Sequence, residues 1–167
     1  AVKSAGPTGL TVVNASVNGG ATLTGITDGQ VTSEDRSVSF TLADAEVLSG
    51  EAFSVPISVD RIEAGDDVRS IQLSLSYDDQ ILDLTGVAKG TLLDSPDITV
   101  QDNASEGGRG GSLDITISST SSILGEGTLL RLVGTVLATG NTDLRMDQVT
   151  VNDGYPLSQV NNGTVTS

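Results

Sequence analysis

The chain has 167 residues, long enough to bury a full core in one main domain without staples. Its net charge of -14 argues against nucleic acid and anionic membrane as partners, because those surfaces require clustered cations. Lacking histidine and cysteine, it cannot build Ser-His or Cys-His nucleophiles, His-ligated metal centres or disulfides.

Helix formers never gather at helical spacing for long, whereas Val, Ile, Thr, Ser and Gly recur in short alternating runs, so an all-β sandwich is expected. Ala1 to Pro7 reads as a frayed lead. Leu10–Val17, a turn at Asn18-Gly19-Gly20 and Ala21–Ile26 read as a β-hairpin extension occupying residues 1–36, with polar Thr32 to Arg36 as a boundary. An isolated hairpin is marginal in water, so this one requires something to pack against. The main domain is expected over residues 37–167.

Within it, Val38, Phe40 and Leu42 alternate with polar neighbours. Phe53–Val59 alternates again around Pro56, which cannot donate to a ladder and predicts an edge position or a bulge. From Ser70 to Tyr77, apolar Ile71, Leu73, Leu75 and Tyr77 face one way, and Ser70, Gln72, Ser74 and Ser76 the other. The polar side carries small neutral residues, which lets another protein approach closely. Asp78-Asp79-Gln80 turns the chain into Ile81–Leu84, and Thr91–Val100 is a looser stretch. After the Gly-rich loop of Asp102–Ser112, Leu113, Ile115 and Ile117 mark another half-buried strand. Thr128–Ala138 is more continuously apolar, with Leu130, Leu132 and Gly134 on one side and Leu129, Arg131 and Val133 on the other. Leu144–Val151 and Asn162–Ser167, joined through Asp153-Gly154-Tyr155-Pro156, complete roughly nine strands. Phe40, Phe53, Tyr77 and Tyr155 are the few large pieces of a core otherwise made of Val, Leu and Ile.

Five segments in this order resemble a cohesin module. Leu48-Ser49-Gly50-Glu51-Ala52-Phe53-Ser54-Val55-Pro56 is similar to the family's opening turn and Val-Pro strand. Tyr77-Asp78-Asp79-Gln80-Ile81-Leu82 resembles its Tyr-Asp-Pro-x-x-Leu corner, with Asp79 where Pro is usual. Gly86-Val87-Ala88-Lys89-Gly90, Gly125-Glu126-Gly127-Thr128-Leu129 and Val151-Asn152-Asp153-Gly154 followed by Asn162-Gly163-Thr164 resemble the turn, strand entry and closing pair that follow. The resemblance covers residues 37–167. It implies a nine-stranded jelly-roll sandwich of two antiparallel sheets, non-catalytic, which binds a dockerin-type module across one flat sheet in a secreted or cell-surface complex.

Carried over by position, the implied partner-binding residues are Ser70, Gln72 and Ser74, then Asp114, Thr116 and Ser118, and finally Leu129, Arg131 and Val133. Many cohesins carry an Asn and an Asp where Ser70 and Gln72 stand here, which implies a different partner specificity. No cofactor is required, and the resemblance puts calcium on the partner. Asp and Asn pairs at Asp66-Asp67, Asp78-Asp79, Asp102-Asn103 and Asn152-Asp153 leave calcium binding by this chain open, although the EF-hand spacing is absent. The isolated domain is expected to be monomeric. No run of transmembrane length and no signal-peptide pattern occurs, so a soluble mature or excised module is expected. Two alternatives remain, a structural or adhesive surface domain without a dockerin partner, and a carbohydrate-binding module. The second is disfavoured by the absence of Trp and the presence of only two Tyr.

Overall fold

A computed structural model describes residues 6–10, 29–33, 38–103, 110–152 and 157–167. The chain divides into two compact units, Ala1–Arg36 and Ser37–Ser167. In the first, β1 (Gly6–Leu10) pairs antiparallel with β2 (Gly29–Ser33), Thr8 opposite Val31. Of the expected Leu10–Val17 strand only Leu10 is described, ending a strand that starts inside the expected frayed lead, and β2 takes the place of the polar boundary from Thr32; the rest of the expected hairpin, residues 11–26, lies outside the described residues.

The second unit contains β3 (Val38–Leu42), β4 (Ala45–Glu46), β5 (Ala52–Ile62), β6 (Ser70–Tyr77), β7 (Leu82–Lys89) and β8 (Asp97–Asp102). These are followed by β9 (Gly111–Ser118), β10 (Gly125–Val136), β11 (Asn141–Val151), β12 (Leu157–Asn161) and β13 (Gly163–Thr166). One sheet has the order β12-β3-β5-β10-β7 and the other β4-β13-β11-β6-β9-β8. The described strands thus outnumber the expected nine, and both sheets are mixed rather than purely antiparallel. The chain lays β12 beside β3 and β13 beside β4 in parallel, closing each sheet on its own first strand.

Period-two alternation explains how the sheets face each other. Phe40, Val55, Ile57, Leu84 and Leu132 from one sheet, and Ile71, Leu73, Leu75, Ile115 and Leu144 from the other, are all buried in a single apolar cluster. Phe40, Phe53 and Tyr77 are buried in it; Tyr155 lies outside the described residues.

The Pro56 strand carries a bulge, one of the two expected forms, but the bulge is not at Pro56 and the strand is not at an edge. Strand β5 is interior, between β3 and β10, and its bulge falls at Asp60-Arg61, where three β5 steps from Val59 to Ile62 span two β10 steps from Gly127 to Gly125. The pairing of β3 with β5 ends at Leu42 opposite Ile57, and Ala43 N donates to the Pro56 carbonyl at 3.2 Å. A strand residue's nitrogen and carbonyl point to the same side, so the missing donor falls where β3 has already run out.

With so few aromatics, close backbone approach supplies part of the packing. Gly134 sits beside β7 so tightly that a Cβ would overlap the Asp83 carbonyl oxygen and lie 3.0 Å from the Phe53 ring. Gly134→Ala is therefore expected to cost about 1 to 3 kcal/mol in urea unfolding. A change under about 0.5 kcal/mol, the range of neutral surface substitutions, contradicts this close packing.

Candidate partner-binding face

The unbroken register between β6 and β9 builds a flat polar surface on the outer side of the six-stranded sheet. Ser70 lies opposite Ser118, Gln72 opposite Thr116, Ser74 opposite Asp114 and Ser76 opposite Ser112. Beyond β9, strand β8 adds Thr99 opposite Thr116 and Gln101 opposite Asp114. Beyond β6, strand β11 adds Thr150 opposite Gln72 and Gln148 opposite Ser74. A register shift between Met146 and Gln148 leaves Asp147 exposed beside Gln148. The result is a four-strand surface of short polar side chains.

One side-chain network crosses this surface. Ser74 Oγ donates to Asp114 Oδ1 at 2.5 Å, and Asn103 Nδ2 donates to Asp114 Oδ2 at 2.9 Å. Gln101 Nε2 in turn donates to Asn103 Oδ1 at 3.2 Å. The Asp114 carboxylate is thereby held in one orientation by groups from β6 and from the end of β8.

A second network fixes the start of β6. Asn152, held in the left-handed region at φ 42, accepts hydrogen bonds on Oδ1 from Arg69 N at 2.8 Å and Ser70 N at 3.1 Å. Its Nδ2 donates to the Asp67 carbonyl at 2.8 Å. Asp67, also left-handed, receives the Ser122 hydroxyl and, at 2.9 Å, Arg69 Nε on the same carboxylate oxygen. These donors, Ser122 first and Arg69 second, hold its carboxyl below the ordinary value of 3.8. Asp67 and Asn152, from two of the pairs considered as calcium ligands, thus have local roles, and Asp78 similarly accepts Gln80 N in its own turn at 2.9 Å, while Asp153 lies outside the described residues. Among the described residues no group of three or more acidic side chains is placed to hold a metal ion.

Three of the nine expected contact residues fall elsewhere. Arg131 and Val133 lie on β10, in the five-stranded sheet, so their side chains point away from the opposite side of the sandwich. Arg131 is exposed and faces Pro56 and Ala88; Val133 is half-buried between Ser54 and Gly86. Leu129 is fully buried. A bulge causes this: Thr128 pairs with Ser58 and Leu130 with Ile57, so Leu129 is the extra residue and turns inward with Leu130. The same surface also carries Thr99, Gln101, Gln148 and Thr150, which the sequence reading did not place there. Alternation in Asp97-Ile98-Thr99-Val100-Gln101 was the available signal for the first two, but no local signal names the strand that β8 pairs with.

A family model described as Cohesin domain matches residues 37–167. The chain belongs to the cohesin family. A non-cellulosomal cohesin from the hyperthermophilic archaeon Archaeoglobus fulgidus is 24% identical over 78% of this chain and 90% of its own, with a TM-score of 0.63. The sixth cohesin of scaffoldin B from Acetivibrio cellulolyticus, solved in complex with a Cel5 dockerin variant, is 16% identical over 78% and 99%, with a TM-score of 0.66. The OlpA cohesin from Clostridium thermocellum, solved as a complex with the dockerin Doc918, is 14% identical over the same shares, with a TM-score of 0.64. No curated protein sequence matches the chain. At such identities these structures establish the cohesin fold.

Two outcomes test the clamp at the head of β6 in this cohesin. Asn152→Ala loses the side-chain bonds and strains the left-handed backbone, costing about 2 to 4 kcal/mol, whereas Asn152→Gly relieves the strain and costs less. Equal losses for the two variants, measured by denaturant unfolding, rule out a backbone contribution. For Asp67, a depressed folded-state value means stability that is present above 3.8 and lost as pH falls through the lower folded value. The melting-temperature gap between the wild type and Asp67→Asn is therefore expected to be full at neutral pH and to close in acid; a gap independent of pH contradicts the assignment.

Proposed function

We propose that this cohesin is a non-catalytic recognition module that binds a dockerin-type module through the outer face of β8, β9, β6 and β11. The observation that carries the reading is the register of those four strands, which presents Gln72, Ser74, Asp114, Thr116 and Ser118 on one continuous surface with the alternating apolar residues of β6 and β9 buried in the core. Solved cohesins of the same fold hold dockerins in their complexes. The absence of histidine and cysteine removes the common nucleophile and base pairings, in keeping with a binding role. Residues 1–36 form an extension to the module, and calcium, where the interaction needs it, resides on the partner. The setting we infer is a secreted or cell-surface assembly; among the described residues no helix is long and apolar enough to cross a membrane.

A second reading is favoured by the likeness to a cohesin described as non-cellulosomal. On that reading the same face serves a surface protein that assembles outside a cellulosome, with no dockerin as partner.

Calorimetric titration of the full chain against dockerin modules from the encoding organism, with and without EDTA, separates the two. Saturable binding lost on chelation supports the first reading, and absence of binding to every module supports the second. Thr116→Arg, a bulky charge in the middle of the face, is expected to weaken binding about 30-fold or more while moving stability by less than about 0.5 kcal/mol. Val133→Asp on the other sheet is expected to leave affinity unchanged. The opposite pattern would move the interface to the five-stranded sheet.

A further inference from the structure

We infer that Asp114 is the specificity-determining anchor of the face, and that it selects partners placing a Lys or Arg side chain over the β9–β6 pair. The inference rests on the proposed partner-binding role of that surface and names the chemistry of its partner.

Three observations lead there. First, Asp114 is the acidic side chain in the β9 row of the face, between neutral Ser112 and neutral Thr116 and Ser118, with Ser74 and Gln101 directly across on either side. Second, its carboxylate is already oriented, Oδ1 by the Ser74 hydroxyl at 2.5 Å and Oδ2 by the Asn103 amide at 2.9 Å. Each bond uses one acceptor site, and a carboxylate oxygen has two, so acceptor capacity remains on both oxygens. Third, the described cations of this unit are engaged or remote. Arg145 pairs with Asp143 at 2.8 Å, Arg69 with Asp67 at 2.9 Å and Arg61 with Glu63 at 3.4 Å. Lys89 donates to the Asp94 carbonyl at 2.7 Å, and Arg131 lies on the other sheet.

When a partner covers the face, Asp114 is withdrawn from water. Two neutral hydrogen bonds offset only part of the cost of burying a carboxylate, and an unpaired buried charge is heavily penalised. A cation from the partner supplies what the described residues of this chain do not. Partners with an apolar or acidic residue at that point are rejected, because specificity follows as much from an unpaired charge as from a good contact. Because the carboxylate is positioned before binding, little side-chain entropy is lost on pairing. Asp147 and Asp97, exposed on flanking strands of the same sheet, add to the negative field that draws a basic surface in.

The test titrates wild type, Asp114→Asn, Asp114→Lys and Asn103→Ala against the dockerin panel at two salt concentrations. Asp114→Asn preserves shape, keeps both hydrogen bonds once its NH2 donates to the Ser74 hydroxyl, which can accept, and is expected to lower affinity about 10- to 100-fold for the modules that bind. It is also expected to flatten the salt dependence, which a structural role for Asp114 would leave untouched. Asp114→Lys is expected to abolish binding to those modules and to restore it when the partner's facing Lys or Arg is changed to Glu. Asn103→Ala, which only loosens the carboxylate, is expected to give a smaller loss with the salt slope kept. Wild-type binding with Asp114→Asn within twofold and an unchanged slope overturns the anchor while the dockerin reading stands. No wild-type binding to any module overturns the dockerin reading, and the anchor with it.

Discussion

The pairing of β6 with β9 is the constraint on which the rest of this molecule depends. Eight consecutive residue pairs run from Ser70 and Ser118 to Tyr77 and Gly111 without a register shift. A slip of one residue would send Ile71, Leu73, Leu75, Leu113, Ile115 and Ile117 into solvent and bury Gln72, Asp114 and Thr116 together. One register therefore places both the core and the polar face. The clamp by Asn152 and Asp67 holds the first residues of β6, and the turn after Tyr77, where Asp78 accepts Ile81 N at 3.1 Å and Leu82 N at 2.9 Å, closes its other end.

A core so poor in aromatics succeeds by bringing backbones close. Glycines stand where large side chains or carbonyls already fill the space, Gly111 against the Tyr77 ring and Gly134 against Asp83. The same economy leaves the outer surface flat. Ser, Thr and Gln side chains rise only a short distance above a sheet, so a partner can reach the strands themselves, and complementarity is then decided by where the few charges lie. On such a surface the proposed role of Asp114 carries a weight that it would not have on a crowded charged one.

The two sheets have unlike outer faces. On the five-stranded sheet, Arg131 stands between Pro56 and Ala88 and Val133 between Ser54 and Gly86, and of these four neighbours Ser54 alone has a polar side chain. On the six-stranded sheet, hydrogen bonds between side chains tie β8, β9 and β6 together. A surface with its polar groups held in place before contact loses less freedom on binding, which is the physical basis for proposing the second face as the binding surface.

Much of this was legible in the residues alone. Alternation identified the strands at Val38, Phe53, Ser70 and Leu113 and the apolar side of each, because a strand's period of two is a local property. The cohesin resemblance was legible in short motifs such as Tyr77-Asp78-Asp79-Gln80-Ile81-Leu82, and alternation alone put Gln72 and Ser74 on the polar side of β6 and Asp114, Thr116 and Ser118 on that of β9. Pairing is not local. Nothing between Thr128 and Val136 records that β10 joins β5 and β7 rather than β6, and the bulge that buries Leu129 arises only from the register β10 takes against β5. Pro56 became tolerable inside a sheet because β3 stops one residue short of it. The amino-acid sequence by itself determined which side chains are apolar on which side of each strand; the tertiary structure alone decided which strands share a sheet, since that choice rests on contacts between residues far apart in the chain, and with it which polar sides unite into a single face.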